Sequence, residues 1–323
     1  MKRVLAGLRG YLADGDAITG ISTLSTGHSN ETYLIEGLDR ILRTPPCGPG
    51  LLPPYDMAKQ HAVMKELAGL NAGPPVPEVH ELCEDPEVIG DEFFVMSRAY
   101  GTAFEYEVPD WLLCATENAR SRMWAEWLCA VTRLHNLEAL DVLGAPVAPR
   151  QAAQHWRQVS EQAESPRLIA INEELERNPP VESGRPAVVH GDPKIANCLW
   201  SNGNLVALVD WELACNGEPL ADLGYMLSLW FTFDSSIIPP APGFDLPGVP
   251  TREEWISAWE RQTGRSASGV LRHEAAAHGK IGAILALGAH LYETGQSSDE
   301  RFAAWGEASE QCIRAAETIL SRS

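Results

Sequence analysis

The sequence predicts an α+β fold in which a small antiparallel sheet precedes a larger, mainly helical part. Residues 17–98 are mostly strand-like, whereas helical spacing dominates after Tyr100-Gly101, and a small β island interrupts the helices. A cleft between two such parts is a natural ligand site. The predicted boundaries are a small lobe at 1–96, a connector at 97–101 and a helical lobe at 102–323.

Composition limits the class of protein and its partners. The chain has 323 residues, of which 45% are hydrophobic and 21% charged, as is typical of a globular protein with a sizeable core. Its formal net charge of −19 repels phosphate backbones, so we expect no nucleic-acid partner. Seven cysteines without a C-x-x-C pair, together with no signal peptide and no apolar run of about 18 residues, predict a cytoplasmic protein without a membrane span.

In the small lobe the pattern predicts five strands and two helices. The N-terminal segment has the pattern of a short amphipathic helix, and a second apolar stripe predicts a helix at about 56–70. Three strands are expected at 18–25, 31–36 and 40–44, where alternation is clear and a turn at 37–39 joins the last two. "PEVHELCED" and "EFFVMSR" predict two more strands around an acidic turn at 84–92.

In the helical lobe, six segments carry helical spacing: 117–136, 150–163, 166–177, 251–263, 266–294 and 298–321. Thr251 and Glu254 have the spacing of a capping box, which predicts a helix start. The β island consists of "AVVH", "NCLW" and "LVALVDWE". The turn Asn202-Gly203 between the last two predicts a hairpin.

The run "VVHGDPKIANCLW" at 188–200 places polar side chains between two segments that look buried. Asp210 ends the strand that follows, and because a hairpin joins the two strands, Asp210 should return close to Asn197. Carboxylate and amide oxygens suit Mg²⁺, which takes further ligands from water and substrate phosphates. The carboxylate of Asp192 then remains to orient a hydroxyl and accept its proton, as phosphoryl transfer requires.

H-G-D-x-x-x-x-N followed by a strand that ends in D-W-E resembles the aminoglycoside phosphotransferase family, relatives of protein kinases. "HGDPKIAN" resembles its catalytic loop, and "VDWELACNGEPLADLGYML" resembles its metal-binding and following segment. "GHSNETYLI", "ILRTPP", "CEDPEVIGDEFFVM", "LHNLEALDV" and "LPGVPTREEWISAWERQTGR" resemble the branch fused to, or found beside, acyl-CoA dehydrogenases. The resemblance covers nearly the whole chain and implies a protein-kinase-like two-lobed fold. It also implies transfer of the γ-phosphoryl group of ATP, with Mg²⁺, to a hydroxyl of a small molecule.

The resemblance assigns roles in the loop itself. Asp192 resembles the catalytic base, and Lys194 would lie near the transferred phosphoryl group, where its charge offsets the charge of the transition state. His190 would brace the loop, as its counterpart does in the family. Asp222, in "ADLG", would stabilise the loop by hydrogen bonds rather than touch substrate.

Further residues are assigned to the metal and to the nucleotide phosphates. By the resemblance, Asn197 is a Mg²⁺ ligand and Asp210 is the main Mg²⁺ ligand. Arg43 aligns with the basic residue that holds the phosphates, and arginine can bind them in a fork. The turn "STGHSNET" should cover the phosphates with backbone N–H groups and hydroxyls, although it could also be an ordinary hairpin turn. Its candidate residues are Ser25, Thr26, Gly27 and Ser29.

Two features of the nucleotide side are less regular. The glutamate that normally pairs with the basic residue is replaced by Gln60, which cannot neutralise charge, and Asp56 is an alternative source of charge on the same helical face. This departure leaves open a protein that binds nucleotide without turnover. Backbone groups of Ser97 and Ala99 are expected to meet the adenine, the alternative being a simple strand end.

The acceptor should bind to the helical lobe. Glu212, Glu218 and Asp245 are too few to indicate a polycationic antibiotic, so a resistance kinase is an alternative and not the main hypothesis. Aromatic residues could be core, or could face the cleft and favour a partly apolar hydroxylated substrate: Trp211, Trp230, Phe231, Phe233 and Trp255. The resemblance points to a hydroxyacyl-type metabolite.

Overall fold

The small lobe is an antiparallel five-stranded sheet with the strand order β1-β2-β3-β5-β4. The computed structural model describes residues 2–26, 30–46, 48, 50–105, 107–230 and 243–322. The strands are β1 (Gly20–Thr26), β2 (Glu31–Glu36), β3 (Arg40–Thr44), β4 (Val79–Cys83) and β5 (Phe93–Ser97). The helices are α1 (Lys2–Tyr11), α2 (Met57–Ala68) and α3 (Pro86–Ile89), so the expected acidic turn contains a short helix. All five predicted strands are confirmed.

Each face of this sheet carries an apolar cluster. In β5, Phe93 and Val95 pack in one apolar cluster with Leu8 of α1, whereas Phe94 and Met96 join the core beneath α2. The alternation follows from the period of two along a strand. Each such side chain contributes about 1.5–3 kcal/mol by leaving water. The sheet is therefore a rigid platform between two layers of helix.

The helical lobe contains eight helices and four short strands among the described residues. The helices are α4 (Asp110–Leu113), α5 (Glu117–His135), α6 (Pro149–Gln162), α7 (Pro166–Arg177), α8 (Leu220–Trp230), α9 (Arg252–Thr263), α10 (Val270–Glu293) and α11 (Trp305–Leu320). The strands are β6 (Ala187–Val189), β7 (Cys198–Ser201), β8 (Asn204–Leu208) and β9 (Cys215–Gly217). The predicted α+β architecture is thus confirmed.

The local signals in this lobe act as predicted. Asn202 and Gly203 both have positive φ, 52° and 78°, and form the two-residue turn between β7 and β8. The capping box is also present. Glu254 N donates to Thr251 Oγ1 at 3.2 Å, and Thr251 N donates to Glu254 Oε2 at 2.8 Å.

Several elements of this lobe differ from the prediction, and the short helix α4 is one that the sequence did not predict. The segment 298–321 is a 3₁₀ turn, Glu300–Ala304, followed by α11 instead of one helix. Strand β9, which pairs with β6, and helix α8 were not predicted. Helix α8 is apolar on almost every side because it is buried in the lobe, so its sequence shows no single stripe.

Backbone contacts and a shared core join the lobes. Leu208 N of the helical lobe donates to Pro75 O of the small lobe at 2.8 Å, and Thr102, which directly follows the connector, exchanges hydrogen bonds of 2.9 and 3.0 Å with Trp200. The core beneath α2 continues into the helical lobe through Trp124 and Trp127. None of the helices in the described part of the chain is long and apolar enough to cross a membrane.

We predict opposite effects for two glycines of α1. A Cβ at Gly7 would lie 2.0 Å from Val88 O in α3, whereas a Cβ at Gly10 would meet nothing within 4 Å. Gly7→Ala should therefore lower the free energy of unfolding by roughly 1–3 kcal/mol. Gly10→Ala should leave it unchanged or raise it by up to roughly 1 kcal/mol, because alanine favours the helix. Urea unfolding measures both, and equal effects would contradict the packing of α1 on α3.

Candidate active site

The HGD loop, which we define as residues 190–197, leaves β6 in a conformation that requires glycine. Gly191 has φ +82°, and a Cβ on it would lie 2.3 Å from Leu213 O. The loop backbone therefore packs directly against the segment that follows Asp210. Trp127 Nε1 also donates to Pro193 O at 3.1 Å, which fixes the middle of the loop against α5.

Asp222 of α8 holds the start of this loop, as the sequence led us to expect. Its carboxylate accepts hydrogen bonds from His190 N at 2.8 Å and Gly191 N at 2.9 Å. His135 Nε2 lies 3.2 Å away and donates to it, because His135 Nδ1 accepts a hydrogen bond from Trp259 Nε1 at 2.9 Å. Burial by itself raises the pKa of Asp222, but the hydrogen bonds from His135 and from the backbone of His190 outweigh it, so the pKa is lowered.

His190 connects the loop to the strand that carries Asp210. Its Nδ1 accepts from Asp192 N at 3.2 Å, so its Nε2 carries the proton and donates to Val209 O at 3.1 Å. The ring also packs on Trp211 at 4.6 Å between centroids. Burial lowers the pKa of His190, which keeps the ring neutral and preserves this tautomer. The bracing role inferred for His190 thus has a defined geometry.

Asp192 lies at the centre of the loop with one oxygen held and one available. Asn197 Nδ2 donates to Asp192 Oδ2 at 3.0 Å and to Asp192 O at 2.8 Å, and Lys194 Nζ lies 3.4 Å from the same Oδ2. Oδ1 is buried and accepts no hydrogen bond from any described residue. Burial raises the pKa of Asp192, but the charge of Lys194 and the hydroxyl of Tyr225 outweigh it, and the pKa falls to about 2. Asp192 is therefore an ionised carboxylate at neutral pH.

Asp210 returns to the loop, as the hairpin predicts. Val209 N donates to Asn197 O at 2.9 Å, which fixes the strand end beside the loop. Asp210 itself has φ +72° and ψ 64°, a left-handed conformation that is uncommon outside glycine. Such a conformation in a non-glycine residue is a form of local strain that concentrates at functional sites.

The donor set of Asn197 and Asp210 fits a magnesium ion. Because Asn197 Nδ2 is used by Asp192, its Oδ1 remains available as an oxygen donor to a metal, and the carboxylate of Asp210 is the second candidate donor. Two protein oxygens of this kind suit Mg²⁺, which keeps waters and takes phosphate oxygens for its other positions. The residues present are therefore compatible with the metal that the sequence implies.

Arg43 of β3, in the small lobe, forms an ion pair with Asp210 of the helical lobe. Its other guanidinium nitrogen, Nη1, donates to Thr32 Oγ1 at 2.9 Å. Asp56 does not neutralise Arg43: it caps α2, where Lys59 N donates to its Oδ1 at 2.7 Å. Gln60 is buried, and its Nε2 has no hydrogen-bond partner among the described residues. Neither Asp56 nor Gln60 of α2 is therefore the partner of Arg43. Its carboxylate partner is Asp210.

Part of the predicted phosphate-binding turn lies beyond the described residues. Gly27 and Ser29 are outside them, and for Ser25 and Thr26 only the backbone, at the end of β1, is described. The next residue, Asn30, is buried, and its Nδ2 donates to Glu212 Oε2 at 2.6 Å. This contact between lobes was missed in the sequence. The only signal was a polar residue between a turn and an alternating strand.

At the connector, some of the backbone groups expected to meet adenine are already used. Ser97 N donates to Glu78 O at 2.7 Å, and Gly101 N donates to Ala99 O at 3.1 Å. The hydroxyl of Ser97 is also engaged, with His80 Nε2 at 2.9 Å. The N–H of Ser97 is therefore already engaged, and an adenine contact through the backbone of Ser97 and Ala99 stays a prediction. The N–H of Ala99 remains as the donor.

A cavity of about 500 Å³ lies beside the HGD loop, between α6, α8 and α10. Trp156 and Lys280, which line it together with Gly191, were not predicted, because both lie on helices whose patterns indicate only packing. Other apolar lining residues are Val147, Pro149, Ala152, Ala153, Val189 and Leu213. The lining of this cavity is thus mainly apolar.

The acids and aromatic residues named from the sequence have other roles. Glu218 borders the cavity but accepts from Ser183 N at 2.8 Å and Leu220 N at 2.9 Å, so it is a structural group. Asp245 is exposed. Trp211 and Trp255 are core residues, each 1% exposed. Phe231, Phe233 and the side chain of Trp230 lie outside the described residues.

Comparison with known proteins agrees with this geometry. The model of the phosphotransferase enzyme family matches residues 20–255. Acyl-CoA dehydrogenase family member 11 of Gallus gallus is 30% identical over 278 residues, which cover 81% of this chain and 35% of that protein. The chain therefore spans about a third of that relative.

Two solved structures share the fold. A putative aminoglycoside phosphotransferase from Ralstonia eutropha JMP134 has a TM-score of 0.75 at 22% identity, over 97% of this chain and 98% of that one. The ADP-bound aminoglycoside phosphotransferase APH(2'')-Ib has a TM-score of 0.57 at 14% identity, over 97% and 99%. The kinase-like two-lobed fold that the sequence predicted is thus confirmed.

We predict that Lys194→Met raises the pKa of Asp192 by at least about 1, because the variant loses the nearest positive charge while burial stays. The folded wild type should keep Asp192 ionised until the pH falls through about 2, whereas the variant should protonate it at higher pH. ¹³C NMR of labelled aspartate carboxylates measures this, with Asp192→Asn to assign the signal. Lys65→Met, on the exposed face of α2, is the control. An unchanged titration in Lys194→Met would refute the assigned cause.

Proposed function

Because this chain belongs to the phosphotransferase enzyme family, we propose that it transfers the γ-phosphoryl group of ATP to a hydroxyl of a small molecule, with Mg²⁺ as cofactor. One observation carries the proposal. Asn197 Nδ2 donates to the carboxylate of Asp192, Val209 N donates to Asn197 O beside Asp210, and Asp210 pairs with Arg43 of the small lobe, so the four side chains belong to one connected cluster at the junction of the lobes. We place the reaction in the cytoplasm, since the cysteines that the structure describes are free thiols.

Asp192 would orient the acceptor hydroxyl through its ionised carboxylate. Its buried Oδ1 can accept one hydrogen bond, which a substrate hydroxyl would donate. With a pKa near 2, Asp192 is a weak base, so its main contribution is to aim the oxygen lone pair at phosphorus. Proton acceptance is then late, which suits a loose transition state in which bond formation to the nucleophile lags.

Arg43, Asn197 and Asp210 would hold the nucleotide side. Mg²⁺, when bound, would neutralise charge on the phosphates, and Asn197 and Asp210 are the residues that would hold it. Arg43 binds phosphate oxygens through its planar fork. The ADP-bound state of the solved relative supports a nucleotide in this groove. Lys194 would add positive charge close to Asp192, at the position of the transferred group.

We further propose that the acceptor is a partly apolar hydroxylated metabolite of the hydroxyacyl type. The apolar wall of the cavity supports this, as does similarity to a protein named as an acyl-CoA dehydrogenase family member. An aminoglycoside needs carboxylates for its amines, and the three considered from the sequence offer little. Glu212 and Glu218 already accept hydrogen bonds inside the protein, and Asp245 is exposed.

A screen of hydroxylated metabolites with Mg²⁺ and ATP tests the reaction class, with ³¹P NMR or mass detection of a phosphorylated product. Formation of a phosphate ester is the expected result. ATP binding without loss of phosphoryl, across a screen that includes aminoglycosides and macrolides, would instead identify a non-catalytic nucleotide-binding regulator. Phosphorylation of an antibiotic in preference to the metabolites would identify a resistance kinase.

We predict that Asp210→Asn and Asp192→Asn separate binding from turnover. Asparagine tolerates the left-handed conformation of residue 210, so the fold should persist while a carboxylate ligand is lost. The affinity of Asp210→Asn for Mg²⁺-ATP should fall at least about tenfold, because one charged contact is removed. Asp192→Asn should bind Mg²⁺-ATP like the wild type but turn over about 10²-fold more slowly, or worse.

Isothermal titration with Mg²⁺-ATP and a product assay measure the two effects. Circular dichroism and the melting temperature serve as controls for folding of each variant. Equal Mg²⁺-ATP affinity in Asp210→Asn and wild type would contradict the assignment of the metal ligand.

A further inference from the structure

A partly buried lysine that the proposed reaction leaves without a role lines the cavity. Lys280 lies on α10, and its Nζ donates a hydrogen bond to Gly191 O, next to Asp192. Nζ is also 5.2 Å from the ring centre of Trp156 and 5.3 Å from that of Tyr225. An ammonium group has three N–H donors, so two remain beyond the bond to Gly191.

Lys280 has no counterion among the described residues. No carboxylate in that part of the chain lies within 4.0 Å of its Nζ, the limit for an ion pair. Burial lowers the pKa of Lys280, and the more distant charges of Asp192 and Asp222 oppose this. A buried ammonium without a close carboxylate is unfavourable unless something compensates it.

The acids that border the cavity are already committed. Glu218 binds Ser183 and the backbone of Leu220, and Asp222 binds the start of the HGD loop. Glu212 accepts from Asn30. None of these groups is therefore free to serve as the partner of Lys280.

The rest of the cavity adds positive charge and apolar surface. Lys59, on α2, also lines it and supplies a second ammonium group. The rings of His155 and Trp156 pack against each other, with 4.7 Å between their centroids. Burial lowers the pKa of His155, so its ring stays uncharged. A ligand that matches this lining has an apolar body and one anionic group directed at Lys280.

We propose that Lys280 anchors an anionic oxygen group of the acceptor, a carboxylate or a phosphate, and thereby selects acidic, apolar hydroxylated acceptors over polycations. This inference rests on the proposed function, because it names the acceptor class of that site. Lys280 contacts the residue that precedes Asp192 in the chain, so an anion held there is fixed relative to the catalytic carboxylate. The lysine is a specificity-determining residue and does not touch the transferred phosphoryl group.

Four eight-carbon probes test the charge preference in the wild type: octanoate, octyl phosphate, octanol and octylamine. All bury the same chain, so differences in their dissociation constants, measured by isothermal titration or ligand-observed NMR, report on the head group. An anionic probe should bind at least about tenfold more tightly than octanol, and octylamine should bind most weakly. The comparison of octanoate with octyl phosphate identifies which anion the site prefers. Octylamine binding as tightly as the anions would overturn the proposal.

Lys280→Met keeps the length of the side chain and removes its charge. It should abolish the preference for anionic probes over octanol, whereas Lys65→Met on the exposed face of α2 should retain it. A preference that survives in a folded Lys280→Met protein would also overturn the proposal. If Lys280→Met does not fold, as judged by circular dichroism, the wild-type series decides alone.

Mg²⁺-ATP binding and consumption, measured on the same wild-type preparation, separate the two proposals. An anion preference without ATP consumption across the metabolite screen would contradict the proposed phosphotransferase activity and still support the anion site at Lys280. ATP consumption without an anion preference would contradict only the proposed role of Lys280.

Discussion

The site depends on one buried carboxylate, that of Asp222. Both of its oxygens accept backbone N–H groups at the start of the HGD loop, and His135, oriented by Trp259, supplies a third hydrogen bond. A carboxylate without these partners would be expensive to bury, and a loop without the carboxylate would leave two N–H groups unsatisfied. The network therefore enforces a single loop conformation. His190 then transmits that conformation to the strand end that carries Asp210.

The parts that sequence could predict are those governed by neighbouring residues. Alternation located all five strands of the small lobe, and the Asn202-Gly203 turn brought Asp210 back to Asn197. A two-residue turn determines register over several residues on either side. For this reason the closeness of Asn197 and Asp210, which are thirteen positions apart, could be predicted from the turn between them.

The parts that sequence could not predict depend on tertiary packing. Helix α8 has no polar face because other elements surround it, so it lacks the period that marks a helix. Asp56 was considered as a charge partner, but at the first turn of α2 an N-terminal N–H group is nearer than any cation. Lys280 resembles any lysine on a long helix. Its environment is set by α6 and α8, which are distant in the chain.

The contacts that close the groove also bear on how the molecule acquires its structure. The ion pair between Arg43 and Asp210 spans 167 positions of the chain, and the hydrogen bond between Asn30 and Glu212 spans 182. Such distant pairs form only after the entropy of a large loop has been lost, whereas hairpins and helix pairs form early. The groove should thus be among the last regions to assemble during folding. A nascent or partly unfolded chain would hold its acidic and basic groups apart, and chemical competence would arrive only with the completed molecule.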